Sequence, residues 1–471
     1  MRKVWILFLL LVSVSIKAQI QVDVNKKAQQ TEGWGVSLCW WAHMCGTWSD
    51  DKIDTLVDWL VSPDGLNFNI FRYNIGGGDD PQNRNCDLHH MGKGKGIRAE
   101  MPGFKQYADS PYDWQADSAQ IKILLKIREK RPDAIFEAFS NSAPWFMTKS
   151  GCVAGNKNPG EDNLREECYD DFANYLVDVC QHFKEKYGLV FRTLEPFNES
   201  HSDYWGQNGS QEGCHFDTKS QVEVIKRLYP LLKAKGLETV ISASDETSTG
   251  HSLEVLDGYD DVLSLIGQWN VHTYSATHEE RQLLYEKASS YGIRLWQSES
   301  GSGGQGIVGN LRMLQRLFDD IHDLKPAAWC DWQYVEEKGD QWSMVRGDFQ
   351  NQHFEKVKNY YVRQQVSRFI RRGDFFLLKE NDQTLAAVSP DGSRLVLVVL
   401  NNTDEVETKT YQLPKKISKA ELYITSETQN LEKEIISLES EELVVHWLLI
   451  RSELIFSAFK VFSYCQRRLP Y

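Results

Sequence analysis

Two glutamates in this sequence each follow a short apolar segment and stand one hundred positions apart. Glu199 ends residues 194–199, and Glu299 ends residues 295–299, just before a glycine-rich segment. Hydrolysis of a glycosidic bond uses such a pair of carboxyl groups, one to protonate the leaving oxygen and one to attack or to activate water. If the fold brings the two carboxyl groups together, this is the chemistry they could perform.

The elements around the two glutamates alternate between strand and helix patterns. Counting from Gly33, eight segments have strand patterns: residues 33–38, 69–74, 135–140, 192–199, 239–244, 266–272, 294–299 and 327–332. Helical patterns begin near Ser49 and cover residues 118–130, 169–187, 219–235, 279–291 and 307–322. Eight alternating units predict an α/β fold, a closed parallel (β/α)8 TIM barrel, with both glutamates at the mouth where the strands end.

One residue conflicts with the fourth predicted strand. Pro196 cannot donate a hydrogen bond to a central ladder. Because it lies near the end of the segment, where the chain already leaves the sheet, we keep residues 192–199 in the barrel.

After a last helix near residues 360–371 the pattern changes to period two, with turn residues between the segments. Strands are predicted at residues 375–379, 384–389, 395–400, 408–413 and 420–425. The sequence therefore predicts an antiparallel β-sandwich domain at 372–471, attached to a catalytic barrel at 31–371. A strand within residues 19–30 precedes any helix and is expected to join the β domain. Residues 443–471 form an atypical tail without clean alternation, and we expect it to be poorly integrated.

The first 18 residues are typical of a secretory signal peptide. Arg2 and Lys3 precede an apolar run at 4–14, which is too short to span a membrane, and a small residue, Ala18, follows. The mature protein is expected in the periplasm or outside the cell, with no membrane insertion. Its nine cysteines permit disulfides, although the odd count leaves at least one unpaired.

The charge of the chain limits its partners. The formal net charge is -13, and removing the predicted signal peptide takes away three positive charges and leaves -16. Such an acidic protein is not expected to bind nucleic acid or an anionic membrane. A neutral carbohydrate fits better, and some of the 15 tryptophans could stack on sugar rings while others pack in the core.

Four segments carry a more specific signal. They are residues 32–42 (EGWGVSLCWWA), 71–78 (FRYNIGGG), 139–147 (FSNSAPWFM) and 196–199 (PFNE). Together and in this order they closely resemble glycoside hydrolase family 30, and within it the endo-β-1,6-galactanase branch. The resemblance covers roughly residues 20–425.

The resemblance implies a barrel with an attached β-sandwich and a retaining mechanism, with Glu199 as the acid/base and Glu299 as the nucleophile. We expect neither a cofactor nor a metal. The family also implies sugar contacts from Arg72, Asp79, Trp145, Asn198, His272, Tyr274 and Trp332. Two features depart from the family: Ser200 stands where many relatives have proline, and residues 443–471 do not resemble its closing strand.

The proposed chemistry can also be argued from the residues alone. A retaining enzyme needs one protonated and one ionised carboxyl group, about 5–5.5 Å apart. Different surroundings must therefore separate their pKa values. Asn198 could donate a hydrogen bond to a sugar 2-hydroxyl, while Arg72 could hold Glu299 ionised.

Several of these residues have a structural alternative. Each glutamate could be a solvated carboxylate at a strand end. Core packing could explain Trp145, His272, Tyr274 and Trp332, and interior pairing is the favoured role for Glu137 and Glu195.

Two further motifs resemble ligand-binding patterns, but the residues around them do not suit the ligand. Residues 301–306 fit the G-x-G-x-x-G pattern of a dinucleotide site, but Glu299 would set a carboxylate beside the pyrophosphate. Residues 87–90 (DLHH) could bind a metal, but further ligands at suitable spacing are missing from the sequence. We therefore interpret both as loops.

The predicted substrate is β-1,6-linked galactan, such as the side chains of arabinogalactan. The loops at 39–42 and 76–102 resemble the galactanase branch, and loops at a barrel mouth set specificity. Other enzymes with this fold remain open alternatives: a β-glucosidase or glucosylceramidase, a β-1,6-glucanase or a xylanase. A non-catalytic carbohydrate-binding protein is a further alternative, but it would need neither glutamate.

Overall fold

The computed structural model describes residues 19–82, 101–302, 304–337, 342–402, 408–446 and 456–462. The predicted signal peptide and the motif at 87–90 lie outside these ranges.

Eight parallel strands close into a barrel, in which each strand pairs with the next and the eighth pairs with the first. In chain order they are Gly33–Ser37, Ile70–Asn74, Ile135–Phe139, Thr193–Glu195, Val240–Ser248, Ile266–Ser275, Arg294–Ser300 and Ala328–Asp331. The closed sheet confirms the predicted TIM barrel.

Helices follow the barrel strands and cover the outside of the barrel. They are Trp41–Cys45, Asp50–Val61, Ser118–Lys130, Tyr169–Tyr187, Thr218–Ala234, Thr249–Asp257, His278–Ser290, Gly306–Asp319 and Lys358–Ser367. In Asp50–Val61 the buried side chains Ile53, Leu56 and Leu60 recur at helical spacing, which gives the helix one apolar face toward the strands. In the described part of the chain, no helix has the length and apolarity needed to cross a membrane.

The fourth barrel strand is shorter than predicted. It ends at Glu195, and Pro196 is the next residue. Since proline has no N–H to offer a neighbouring strand, the ladder stops there and the chain leaves the sheet. The following residues, up to Glu199, therefore belong to the loop at the end of the strand.

An antiparallel β domain is attached to the barrel. Its sheet contains Gln19–Gln21, Lys27–Gln30, Phe375–Leu377, Thr384–Val388, Arg394–Leu400, Thr408–Thr425, Glu432–His446 and Phe456–Phe462. Along Arg394–Leu400, Val396 and Val398 pack with the large core that includes the barrel, whereas Leu395 and Leu397 pack in a smaller core of the β domain. Alternate side chains of a strand point to opposite faces of the sheet. A strand that is buried on both faces therefore has a continuous run of apolar residues in its sequence.

The N-terminal segment pairs with this sheet before the chain enters the barrel. Gln19–Gln21 runs parallel to Thr408–Thr425, and Lys27–Gln30 runs antiparallel to Phe375–Leu377. The chain thus passes from the sheet into the barrel and returns to the sheet after Lys358–Ser367.

The expectation of a poorly integrated tail is wrong for one segment. Phe456–Phe462 lies between Arg394–Leu400 and Thr408–Thr425 and is antiparallel to both. The expectation relied on the alternation of side chains, but the ladder is made by backbone groups, which every residue except proline supplies in full. The tail therefore contributes an interior strand.

A small three-stranded sheet lies between the last barrel strand and Lys358–Ser367. It consists of Val335–Glu336, Val345–Asp348 and His353–Lys356. Trp342 precedes its second strand and belongs to the lining of the cavity described next.

Candidate active site

Glu199 and Glu299 lie at the same mouth of the barrel, after the fourth strand and at the end of the seventh. Both line a cavity of about 380 Å³. A carboxylate oxygen of Glu199 lies within 4.8 Å of one of Glu299. Both side chains are almost fully buried. The fold therefore brings together the two carboxyl groups that the sequence singled out.

Aromatic side chains form much of the cavity wall. They are Tyr204, Trp205, Tyr274, Trp332 and Trp342. The remaining lining residues are Asn141, Asn198, Gly209, Ser210 and Gln211, besides the two glutamates. Apolar ring faces with a few fixed polar groups suit the two faces and the hydroxyl groups of a sugar ring.

Glu199 is fixed through its backbone as well as its carboxylate. Its N–H donates to the Asp245 carbonyl oxygen at 2.8 Å, and its own carbonyl accepts from the Trp205 indole N–H at 2.9 Å. Its carboxylate is held on both oxygens: Oε1 lies 3.0 Å from Nδ1 of His272, and Oε2 accepts from the Tyr204 hydroxyl at 2.6 Å. The backbone is left-handed at Glu199, with φ 48°. These contacts hold a strained residue in one orientation.

The two oxygens of Glu299 have different surroundings. Oε1 accepts from the Tyr274 hydroxyl at 3.0 Å and lies 3.7 Å from Nδ1 of His272. Oε2 has no hydrogen-bond partner among the described residues and lies 3.6 Å from Nη1 of Arg72. Tyr274 therefore holds one oxygen of Glu299, while the other is buried and faces the Arg72 guanidinium.

Arg72 lies beneath the cavity, fully buried within the barrel. Its Nε donates to Glu137 at 2.7 Å, one terminal nitrogen donates to Asp245, and the other donates to the Ser298 carbonyl oxygen at 3.2 Å. Arg72 is thus paired with interior carboxylates and does not line the cavity. Glu137 serves as an interior partner, as its position within a strand predicted.

Glu195 belongs to the same interior network. It is fully buried and accepts a hydrogen bond from Asn270 at 3.1 Å. This contact also fits the predicted role of an interior pairing partner.

The surroundings separate the pKa values of the two glutamates. Burial raises the pKa of Glu299 to about 7, opposed by the His272 cation and reinforced by the Glu199 charge. Burial acts in the same direction on Glu199, but hydrogen bonds from His272 and Tyr204 outweigh it and hold the pKa below its ordinary value. Glu299 therefore holds a proton more readily than Glu199, which is the reverse of the order expected from the implied roles.

His272 is fully buried below the cavity. Burial acts to lower the pKa of His272, but the charges of Glu299 and Asp245 outweigh it and raise that pKa well above its ordinary value. A cationic His272 donates to Glu199 through Nδ1.

The remaining predicted sugar contacts divide into two groups. Asn198 and Trp332 line the cavity together with Tyr274, and Oδ1 of Asn198 is buried without a hydrogen-bond partner among the described residues. Trp145 packs instead against Tyr107, and its indole N–H donates to the Gln106 carbonyl oxygen at 3.1 Å. Neither Trp145 nor the half-buried Asp79 is among the described lining residues.

Sequence reasoning missed several site residues. Asp245 directly follows the fifth predicted strand, so the strand-end signal that found the glutamates could have found it. Tyr204 and Trp205 lie in the loop after Glu199 and could have been found as nearby aromatics. Trp342 lies far along the chain, just before the strand Val345–Asp348, and no local signal marked it.

Among the residues that the structure describes, two clusters have donor atoms close enough to hold a metal ion: Glu199, His272 and Glu299, and, outside the cavity, Asp162, His215 and Asp217. In the second cluster Nδ1 of His215 lies 3.2 Å from Oδ1 of Asp162, which also accepts from the Asp217 N–H at 2.5 Å. Hydrogen bonds within each cluster explain its compactness.

Six of the seven cysteines that the structure describes are free thiols. Cys39 and Cys45, the closest pair in the sequence, are both free and buried. Cys152 is disulfide-bonded.

Known proteins resemble this chain in sequence, in fold or in both. The model of O-glycosyl hydrolase family 30 matches residues 17–261. An endo-β-1,6-galactanase from Hypocrea rufa is 32% identical over 412 residues, covering 84% of this chain and 83% of that protein. An exo-β-1,6-galactobiohydrolase from Bifidobacterium longum subsp. longum is 24% identical, covering 86% of this chain and 36% of that protein. The crystal structure of a conserved exported protein from Bacteroides fragilis superposes with a TM-score of 0.77 at 19% identity, covering 94% of this chain and all of that one. The chain therefore belongs to glycoside hydrolase family 30 and is a glycoside hydrolase.

Proposed function

We propose that this protein is an exported retaining glycoside hydrolase that cleaves β-1,6-linked galactan, such as the side chains of arabinogalactan. The observation that carries the mechanism is the approach of Glu199 and Glu299 to within 4.8 Å in an aromatic cavity. The similarity to an endo-β-1,6-galactanase over 84% of the chain supports the substrate.

The distance between the carboxylates favours retention of configuration. Inverting enzymes keep their carboxyl groups about 6.5–9.5 Å apart to admit a water, whereas retaining enzymes keep them about 5–5.5 Å apart. The approach of one oxygen of Glu199 to within 4.8 Å of one of Glu299 supports the retaining arrangement.

The reaction then proceeds in two displacements. The Glu299 carboxylate attacks the anomeric carbon, and Glu199 gives its proton to the departing oxygen, which leaves a glycosyl ester on Glu299. Glu199 next takes a proton from water, whose oxygen attacks the same carbon and releases Glu299 as a carboxylate. Two inversions leave the anomeric configuration unchanged.

The roles require substrate binding to reverse the order of the two pKa values. The positive charge that develops at the anomeric carbon stabilises an ionised Glu299, and a sugar that covers Glu199 removes water from it and favours its protonated form. In the second displacement Glu199 acts as a base, and the low pKa imposed by His272 and Tyr204 suits that step.

The cavity and the linkage are also compatible. A 1,6-linkage places an exocyclic carbon between the rings, so the chain is flexible, and aromatic walls can bind it by stacking without demanding one rigid shape. Trp40, from the loop that resembles the galactanase branch, packs edge-on against the cavity residue Trp332 with ring centroids 5.2 Å apart.

Two observations support export. Residues 1–18 have the pattern of a secretory signal peptide. A protein described as exported shares the fold. We expect the enzyme in the periplasm or outside the cell.

The substrate is tested with oligosaccharides of defined linkage. The enzyme is incubated separately with β-1,6-galacto-, β-1,6-gluco-, β-1,4-xylo- and β-1,3-galacto-oligosaccharides, and NMR follows the first-formed anomer. We expect fastest cleavage of the β-1,6-galacto series with the β-anomer formed first. Preference for another series would overturn the substrate and leave the mechanism standing, whereas an α-anomer formed first would overturn the mechanism.

A further inference from the structure

Tyr204 combines a contact to Glu199 with an exposed ring. Its hydroxyl donates to Oε2 of Glu199 at 2.6 Å, yet the residue is 49% exposed at the cavity. Its ring packs edge-on against Trp205, with centroids 4.8 Å apart. One end of Tyr204 is therefore fixed at a catalytic carboxylate, while much of the ring remains available to a ligand.

The Tyr204 hydroxyl marks the oxygen from which a proton would be delivered. Oε1 of Glu199 is occupied by His272, which is fully buried beneath the cavity. Oε2 is held by Tyr204, which is exposed at the cavity, so Oε2 is the oxygen on the ligand side and the departing oxygen of a substrate must come to it. The leaving part of the substrate consequently passes beside Tyr204.

The other aromatic residues lie near the opposite carboxylate. Tyr274 donates to Glu299, and Trp342 packs against Tyr274 with ring centroids 6.3 Å apart. The cavity thus has one aromatic wall next to Glu299 and another, formed by Tyr204 and Trp205, next to Glu199. A sugar chain that is cleaved between the glutamates would extend from one wall to the other.

We propose that Tyr204 binds the leaving sugar, with its ring stacked on that sugar and its hydroxyl orienting Oε2 of Glu199 toward the departing oxygen. This inference rests on the proposed role of Glu199 as the acid/base. It also suits a 1,6-linkage, because the departing oxygen is then attached to a CH₂ group. The ring of the leaving sugar therefore lies one carbon farther from Glu199 than in other linkages. At that distance the ring of Tyr204, which is next to Glu199, can stack on it.

Tyr204 stays a hydrogen-bond donor at working pH. Burial and the adjacent Glu199 carboxylate raise the pKa of Tyr204 above its ordinary value. A donor that is always protonated stabilises the ionised form of Glu199. Loss of the hydroxyl alone therefore raises the pKa of Glu199, which separates this effect from stacking.

The test compares Tyr204→Phe and Tyr204→Ala with Tyr291→Ala. Tyr291 is a matched control because it is 46% exposed and lies at the end of His278–Ser290, away from the cavity lining. Each variant is assayed on β-1,6-galactotetraose and on the 2,4-dinitrophenyl β-glycoside of β-1,6-galactobiose. The second substrate has no sugar in the leaving position and a leaving group that departs without protonation.

We expect Tyr204→Ala to lower the ratio of kcat/KM for the tetraose to kcat/KM for the aryl glycoside by about tenfold, the size of one lost aromatic stacking contact. Tyr204→Phe should keep KM for the tetraose but move the basic limb of its pH profile to higher pH. Tyr291→Ala should change neither quantity. An unchanged ratio in Tyr204→Ala, which means equal losses of kcat/KM on both substrates, would overturn the proposal.

The outcome is separable from that of the proposed function. If the wild-type enzyme prefers another linkage, the galactan assignment fails, and the same ratio is measured with the preferred oligosaccharide and its matching aryl glycoside. The ratio then decides the role of Tyr204 by itself.

Discussion

The imidazole of His272 lies against Glu199, with Nδ1 3.0 Å from Oε1 of the carboxylate. The same nitrogen is 3.7 Å from Oε1 of Glu299, and the opposite nitrogen, Nε2, is 3.2 Å from Oδ1 of Asp245. One buried imidazole thus faces three carboxylates. Its positive charge offsets the repulsion that would otherwise oppose the close approach of Glu199 and Glu299.

His272→Gln should therefore shift the whole pH–rate profile. The cation lowers the pKa of both glutamates, so its loss raises both. The acidic limb, where Glu299 must ionise, and the basic limb, where Glu199 must stay protonated, should both move up by roughly one unit or more. Steady-state kinetics from pH 4 to 9 measure the limbs. Unmoved limbs would mean that His272 is neutral in the working enzyme.

Glu299→Gln should reduce turnover about 10³-fold or more while leaving the fold intact, because only the attacking carboxylate is lost. Turnover is measured on galacto-oligosaccharides, with the thermal midpoint as a control for folding. Near-normal turnover would remove Glu299 from the mechanism.

Azide distinguishes the two carboxylates by the product it forms. In Glu299→Ala, azide can replace the nucleophile and give the α-glycosyl azide from an aryl β-glycoside. In Glu199→Ala, it attacks the glycosyl ester on Glu299 and gives the β-glycosyl azide. The opposite pattern would exchange the proposed roles, which makes this experiment the direct check on the reversed pKa order.

Arg72→Met should destabilise the protein by about 3–5 kcal/mol, because it removes the cation that pairs with the buried carboxylates of Glu137 and Asp245. Urea unfolding measures the loss, and Arg72→Lys, which keeps the charge, should lose less. In any folded Arg72→Met protein the acidic limb should move to higher pH, since a positive charge 3.6 Å from Glu299 is gone. A wild-type unfolding midpoint would contradict this account.

The sequence predicted the barrel because its strands are apolar and its helices are long and periodic. Trp41–Cys45 and Thr249–Asp257 were missed because a helix of one to three turns gives too few repeats to establish a period. Glu199 and Glu299 were found because each ends an apolar segment of the sequence. Such local signals are enough to predict which residues lie at the same mouth of the barrel.

Depth within the barrel could not be predicted in the same way. His272 was placed at the end of a strand, but that strand continues to Ser275. Because side chains alternate along a strand, Tyr274 points to the same side as His272 but lies nearer the mouth, so Tyr274 lines the cavity and His272 lies below it. Arg72 is likewise in the middle of Ile70–Asn74. The depth of His272 and Arg72 in the barrel depends on where their strands end. Strand ends are set by pairing with neighbouring strands, which the local sequence does not show.

Glu246 should make the protein less stable as pH rises. Burial raises its pKa to about 8, and its carboxyl group accepts hydrogen bonds from the Ser200 hydroxyl and the His201 N–H. The unfolded chain has a glutamate pKa of about 4.3. The folded state therefore binds the extra proton between these values, and its stabilising contribution is complete below the unfolded pKa and lost as pH rises through about 8.

Glu246→Gln removes the titration and should flatten the decrease in thermal midpoint between pH 5 and pH 9. Glu254→Gln, at an exposed glutamate nearby, should keep the wild-type dependence. Equal dependence in the wild type and Glu246→Gln would show that another group controls it.

Ending the chain after Glu442 should abolish cooperative folding of the β domain. The truncation removes Phe456–Phe462, whose residues pair one by one with Arg394–Leu400 on one side and with residues 420–425 on the other. It also removes Leu443 and Val445, which are buried in the smaller core.

The damage should extend to the barrel. Val396 and Val398 pack with the large core, so a loosened strand Arg394–Leu400 exposes apolar surface there as well. We expect a loss comparable to the whole stability of a small domain, about 5 kcal/mol or more, seen as a lower thermal midpoint and rapid proteolysis. The control ends after Phe462, keeps every described strand and should retain the wild-type midpoint. A wild-type midpoint after truncation at Glu442 would instead show that the tail is dispensable, because the two strands it separates would then hold together without it.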